Sequence, residues 1–117
     1  MPLINLYSSA PLPSQEAARA LLTSLSSLLA RELGKPESYV MTNLVPRTEM
    51  SFGGSFDPVC YAEIKNIGKF EPEQTERISG LVCALVTKAL GVSRSRIYIE
   101  FSDAMGYLWG HNGATFG

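Results

Sequence analysis

Two segments of this chain, 57 residues apart, carry the same punctuation: Leu33-Gly34 followed by Ser38 and Val40, and Leu90-Gly91 followed by Ser95 and Ile97. Each closes a run of apolar residues at helical spacing. The first run is Ala18, Leu21, Leu22, Leu25, Leu28, Leu29 and Leu33; the second is Ile78, Leu81, Val82, Leu85, Val86, Ala89 and Leu90. Recurrence at three and four residues places each set on one stripe of a helix. Glycine at the end supplies the left-handed turn that stops it. A helix with one apolar stripe must bury it against another layer. The rest of the chain therefore has to supply a surface that two helices can share.

Four stretches can form that surface. Pro2 to Tyr7 alternates, as does Tyr39 to Val45, where Val40, Thr42 and Leu44 oppose Met41, Asn43 and Val45 before Pro46 ends the run. Val59 to Ile67 is the third. Arg96 to Phe101 is the fourth, with Ile97, Ile99 and Phe101 against Tyr98 and Glu100. Between the first strand and first helix lies a loop, Ser8 to Pro13, with Ser14 as N-cap and Glu16 complementing the helix dipole. Pro36 follows the first helix, and Pro72, Glu73 and Glu76 suit the start of the second. Arg47 to Pro58 is a loop around Phe52-Gly53-Gly54-Ser55, without the pattern of a phosphate-binding turn. The glycine-rich tail has room only for a very short strand near Tyr107 to Trp109.

The order is β-α-β, loop, β-α-β. Each unit needs parallel strands and a right-handed crossover. Joined, the two units make an α/β fold: a four-stranded mixed sheet with both helices on one face. The other face, carrying Met41, Val45 and Tyr98, has no third layer from this chain. A half-apolar open face predicts assembly into a closed ring.

At 117 residues the chain fits one domain, 1–117. It is 45% hydrophobic and 18% charged with a net charge of −1, a globular composition with no basic excess to argue for nucleic acid and no charge block to suggest an interaction tail. No apolar run approaches the ~20 residues of a membrane span, and no signal-peptide pattern opens the chain. Cytosol is the expected compartment. Cys60 and Cys83 form neither a CxxC nor a zinc pattern, and Cys83, on a helix stripe, reads as a buried free thiol.

Met1-Pro2 opens the first strand. Trimming of Met1 would leave Pro2 as a free secondary amine, and an ordinary α-amino group has a pKa of about 7.7–8.0. Burial or a nearby cation lowers it further. A chain end fixed in a strand can thus hold a general base. Met-Pro starts also occur on frayed ends; the alternation that follows immediately argues for a terminus tied into a sheet.

Read in order, Met1-Pro2, Gly34-Lys35-Pro36 with Tyr39, Phe52-Gly53-Gly54-Ser55 followed by Pro58, Ile67-Gly68-Lys69, Arg96-Ile97-Tyr98-Ile99 and Thr115-Phe116 match one family nearly end to end. The chain resembles macrophage migration inhibitory factor and its bacterial and plant homologues, in the tautomerase superfamily. The resemblance implies a homotrimer with a site at each subunit interface, no cofactor and no metal. It implies keto–enol tautomerisation of phenylpyruvate-like 2-oxo acids or their enols, with processed Pro2 as the catalytic base. It further implies that Lys35 contacts the substrate carboxylate or oxygen and that the backbone N–H of Ile67 donates. Tyr98 would come from the neighbouring subunit, and Tyr39, Trp109 and Phe116 would line the pocket. Export without a signal peptide is a family property that the resemblance also brings in.

Three departures stand out. The mammalian proteins carry a CxxC where this chain has Pro58-Val59-Cys60-Tyr61-Ala62, so a thiol–disulfide activity has no support. Glu100 replaces the usual asparagine or glycine, and His111 the tryptophan of many members. Glu100 is either a solvated strand carboxylate or a pocket group that opposes an anion. His111 is either a surface tail residue or a titratable rim of the pocket. Two other functions stay open beside the tautomerase: a cytokine-like protein-binding trimer with vestigial activity, and a dehalogenase or decarboxylase of the same superfamily. The latter enzymes usually add arginines near the proline, and Arg47, Arg94 and Arg96 have no assignable place there.

Overall fold

The computed structural model describes residues 1–12 and 14–117. Pro13, in the expected first loop, lies outside the described residues. The elements run β1 (Leu3–Ser8), α1 (Gln15–Leu33), β2 (Met41–Val45), β3 (Cys60–Ile67), α2 (Pro72–Leu90) and β4 (Ile97–Ala104). They build the expected four-stranded mixed sheet, in the order β2-β1-β3-β4. Strands β1 and β2 are parallel, as are β3 and β4, while β1 and β3 join the two units antiparallel.

Strand alternation decides what faces the helices. Ile4 and Leu6 of β1 and Ala62 and Ile64 of β3 are fully buried. They meet Leu21, Leu25, Leu28 and Leu29 of α1 and Ile78, Val82 and Val86 of α2 in one core. Burying each large aliphatic side chain is worth roughly 1.5–3 kcal/mol. Ser14 caps α1 by accepting the Ala17 N–H at 3.0 Å, and Gly34 ends the helix at φ 63°. Helix α2 starts with a capping box in which Gln74 accepts the Glu71 N–H at 2.9 Å, then ends on Gly91 at φ 69°. Among the described residues no helix is long and apolar enough to cross a membrane.

The repeat runs deeper than the sequence pattern indicates. After each glycine the chain makes a short 3-10 turn, Glu37–Tyr39 in the first half and Arg94–Arg96 in the second. Tyr39 and Arg96 therefore precede their strands instead of opening them. Tyr39 and Val40 spend their N–H groups on Pro36 and Glu37 carbonyls, and sheet pairing begins with the Met41 N–H on the Pro2 carbonyl at 3.0 Å. At its far end β4 continues past Phe101, because Ser102 to Ala104 still pair with Lys65 to Ile67 although their apolar alternation has stopped. The tail differs from the expected strand at Tyr107 to Trp109. Gly106–Leu108 is a 3-10 turn, followed by a two-residue hairpin of β5 (Gly110–His111) and β6 (Ala114–Thr115). Asn112 and Gly113 close it with φ of 52° and 78°, the geometry for which Asn-Gly is favoured. Cys83 is half-buried at the margin of the core; Cys60 is the fully buried thiol, pushed up to about 12 by burial and then by Cys83 beside it.

The open face carries Met41, Val45 and Tyr98 as expected, all exposed. Tyr7 stacks on Tyr61, and Glu63 sits in register with Glu100. The loop before β3 folds back at Gly53-Gly54, where Phe52 and Ser55 exchange backbone hydrogen bonds of 2.9 and 3.0 Å. Arg96 holds it. Its guanidinium donates to the carbonyls of Pro58 (2.9 Å), Phe52 (3.2 Å), Ser55 (3.1 Å) and Asp57 (2.9 Å), and lies 5.2 Å from the Phe52 ring centroid. Net contributions of about 1 kcal/mol per bond predict that Arg96→Ala destabilises the fold by about 2–4 kcal/mol. Urea unfolding measures this, with protease nicking of the loop as a second readout; a midpoint equal to that of the parent would show that the loop is held elsewhere.

Candidate functional site

A cavity of about 240 Å³ opens where β1 begins, between that strand, the 3-10 turn after α1 and the C-terminal hairpin. Met1, Pro2, Tyr39, Trp109, His111 and Phe116 line it with Leu3, Ser38, Val40, Met41 and Gly110. Three of these rings pack on one another. His111 stacks on Phe116 with centroids 5.4 Å apart and planes 10° from parallel, and Tyr39 meets both edge-on at 5.7 and 6.3 Å. The hairpin fixes His111 through its pairing with Ala114, and the Phe116 N–H is shared between the Gly106 and Trp109 carbonyls. A Cβ on Gly106 would lie 2.7 Å from the Phe116 carbonyl oxygen, so only glycine allows this closure.

Pro2 is less than 2% exposed, although it borders the cavity. Lys35 comes from the residue after Gly34; its N–H caps α1 on the Ala30 carbonyl, and its ammonium lies 3.4 Å from the Ile67 carbonyl oxygen. Lys35 and Ile67 are thus brought together near the chain start. Partial burial, and then the Lys35 charge, hold the Met1 amine below the usual α-amino range. Among the described residues no carboxylate lines the cavity. The arrangement is a small apolar chamber with aromatic walls, an amine desolvated at one end and a lysine beside it. It has room for a flat ligand, and it lowers the proton affinity of the amine at its edge.

His111 belongs to the cavity, not to a free tail. Tyr98 and Glu100 do not reach it within one chain. Both project from β4 onto the open face, where Glu100 is exposed beside Glu63. None of Arg47, Arg94 and Arg96 lines it either. Reading the sequence missed Asn66, a polar residue that continues the inward series Ala62, Ile64 and is 3% exposed. The alternation of β3 carried that signal.

Together the fold and the cavity define a small α/β protein with its site at the head of an inner strand. The family described as macrophage migration inhibitory factor matches residues 1–117. The Xenopus tropicalis macrophage migration inhibitory factor is 38% identical over 96 residues, 82% of this chain and 84% of that protein. A Brugia malayi homolog is 35% identical over 106 residues, covering 91% and 92%. Among solved structures, the Prochlorococcus marinus homologue superposes with a TM-score of 0.92 at 47% identity, covering 98% of this chain and 99% of that one. The Trichinella spiralis protein gives 0.87 at 30%, covering 97% and 99%. The chain belongs to the macrophage migration inhibitory factor family.

Trp109 is the chain's one tryptophan and lines the cavity, so its fluorescence reports on occupancy. A flat aromatic acid such as phenylpyruvate entering the chamber should change the emission. His111→Ala, which removes the ring stacked on Phe116, should weaken that titration roughly two- to tenfold, the worth of one aromatic pair. An unchanged titration would place the ligand away from this wall.

Proposed function

We propose that this protein is a cofactor-independent keto–enol tautomerase of phenylpyruvate-like 2-oxo acids. It acts in the cytoplasm as a homotrimer with sites at the subunit interfaces. The observation that carries this reading is Pro2, buried at the head of an inner strand with Lys35 at hand and an aromatic cavity in front of it that the described residues of this chain line without a carboxylate. Family membership and the half-apolar open face support it.

After loss of Met1, the Pro2 nitrogen is the base. Burial and the Lys35 ammonium act in the same direction on an amine there: both favour its neutral form, so more base is present near pH 7. Pro2 takes the proton α to the carbonyl and returns one to the other end of the enolate. Lys35 and the Ile67 N–H face the charge that develops on oxygen. Tyr39, Trp109, His111 and Phe116 hold the ring. Tyr98, and Glu100 with it, reach the site from the neighbouring subunit, where Glu100 opposes an anionic substrate.

Intact mass should show loss of Met1, and light scattering at micromolar concentration should give a trimer. Pro2→Gly should cut phenylpyruvate tautomerisation by ~10²–10⁴-fold, as expected for a general base. Full activity in a chain that keeps an N-terminal extension would sink the assignment. Lys35→Ala should lower kcat and kcat/KM together if its charge serves the enolate, and raise KM alone if it serves ground-state binding. Unchanged kinetics would return Lys35 to a helix-end charge.

A further inference from the structure

Asn66 carries an unexplained atom. It is 3% exposed, and among the described residues its buried side-chain oxygen Oδ1 has no hydrogen-bond partner. A buried acceptor left unpaired is costly, and such atoms in folded proteins call for an explanation.

Its place in the sheet supplies one. Strands β1 and β3 are antiparallel with Leu3 opposite Lys65, so the next pair outward sets Pro2 across from Asn66. Both residues have the inward parity of their strands, Pro2 with Ile4 and Leu6, Asn66 with Ala62 and Ile64. Side chains that share a face at directly opposed positions are within contact range. While Met1 is attached, the Pro2 nitrogen is a tertiary amide without a hydrogen, and it can donate nothing to this neighbour. Hydrolysis of the Met1–Pro2 bond, with water as co-reactant, leaves the hydroxyl on the methionine carboxyl and a hydrogen on the proline nitrogen. The donor that Asn66 lacks is created by that one cleavage.

We propose that the Asn66 carboxamide oxygen accepts a hydrogen bond from the Pro2 nitrogen once Met1 has been removed, and so orients the free amine. A neutral secondary amine has one N–H and one lone pair. Committing the N–H to Asn66 fixes where the lone pair points and leaves it for the substrate proton. Asn66 is thus a positioning residue for the base. The contact also favours the protonated amine, against the burial and the Lys35 charge. Other titratable groups around this end of the sheet are Tyr39 from the 3-10 turn, His111 from the hairpin, exposed Asp103, which lies opposite Asn66 on β4, and Lys69 and Tyr107, which share a groove with Asp103 among the described residues. Lys65 sits on the opposite face of β3.

The inference rests on Pro2 being a free amine, and the test separates the two. Protein labelled with ¹⁵N-proline and titrated by NMR reports the protonation of Pro2 directly, without substrate. Asn66→Leu, similar in volume but without an acceptor, should lower the midpoint by about one pH unit, a tenfold loss of proton affinity. Asn66→Asp should raise it. A merely structural disturbance would not move the two variants in opposite directions. If the leucine variant fails to fold, the aspartate variant still reads the sign. The shift should persist in a Lys35→Met background; its disappearance there would mean that Asn66 serves Lys35, and would overturn the proposal. Midpoints that ignore Asn66 in an active, processed enzyme overturn it and leave the tautomerase standing. Asn66-dependent midpoints in an inactive protein do the reverse, and Met1 retained in the intact mass removes both.

Discussion

Strand β1 is hydrogen-bonded along both edges, to β2 on one side and β3 on the other. That double pairing is the constraint on which the rest depends. A chain end held on one side frays; held on both, its first residues become as fixed as the middle of the sheet. The Pro2 carbonyl is already in the ladder through the Met41 N–H. The cavity can therefore be built from three separate pieces of chain, because each meets the same doubly paired strand.

The charge distribution follows the same division. Carboxylates gather on the open face, where Glu63 and Glu100 lie in register and the Tyr61 hydroxyl donates to Glu63 at 3.1 Å. Burial, Glu63 and then Glu100 raise the proton affinity of that phenol. Among the described residues no carboxylate lines the cavity at the head of β1, and Lys35 donates to the Ile67 carbonyl near it. Within one chain, proton affinity falls for the amine at the head of the sheet and rises for the phenol on its open face.

Periodicity made the helices, their caps and the two-layer plan legible in the sequence, because a helix stripe and its closing glycine are local properties. The strand ends were less so. Tyr39 and Arg96 look like strand residues until Pro36 and Ser93 are seen to start turns that consume the N–H groups after them. Ser102 to Ala104 lack apolar alternation but stay paired, since ladder bonds belong to the backbone. The tail hairpin was announced by Asn112-Gly113, a local signal outweighed by the glycine content around it. Of the candidate site, Pro2, Tyr39, Trp109, His111 and Phe116 converge on one cavity, and Lys35 and Ile67 meet beside it. That grouping came from likeness to a family, since no spacing links residue 2 to residue 116. Tyr98 and Glu100 stand apart for a physical reason: their strand parity turns them to the face that this chain leaves uncovered.

The Arg96 clamp has a consequence for how this surface can diversify. All four of its acceptors are main-chain oxygens, which every amino acid presents. The loop is consequently anchored by its path and not by its side chains. Gly53 and Gly54, at φ of 59° and 76°, are tied to that path; Ser51 and Phe56, both exposed and the latter by 75%, are not. Sequence can drift there, or a short recognition peptide be displayed, while the guanidinium goes on gripping the same oxygens.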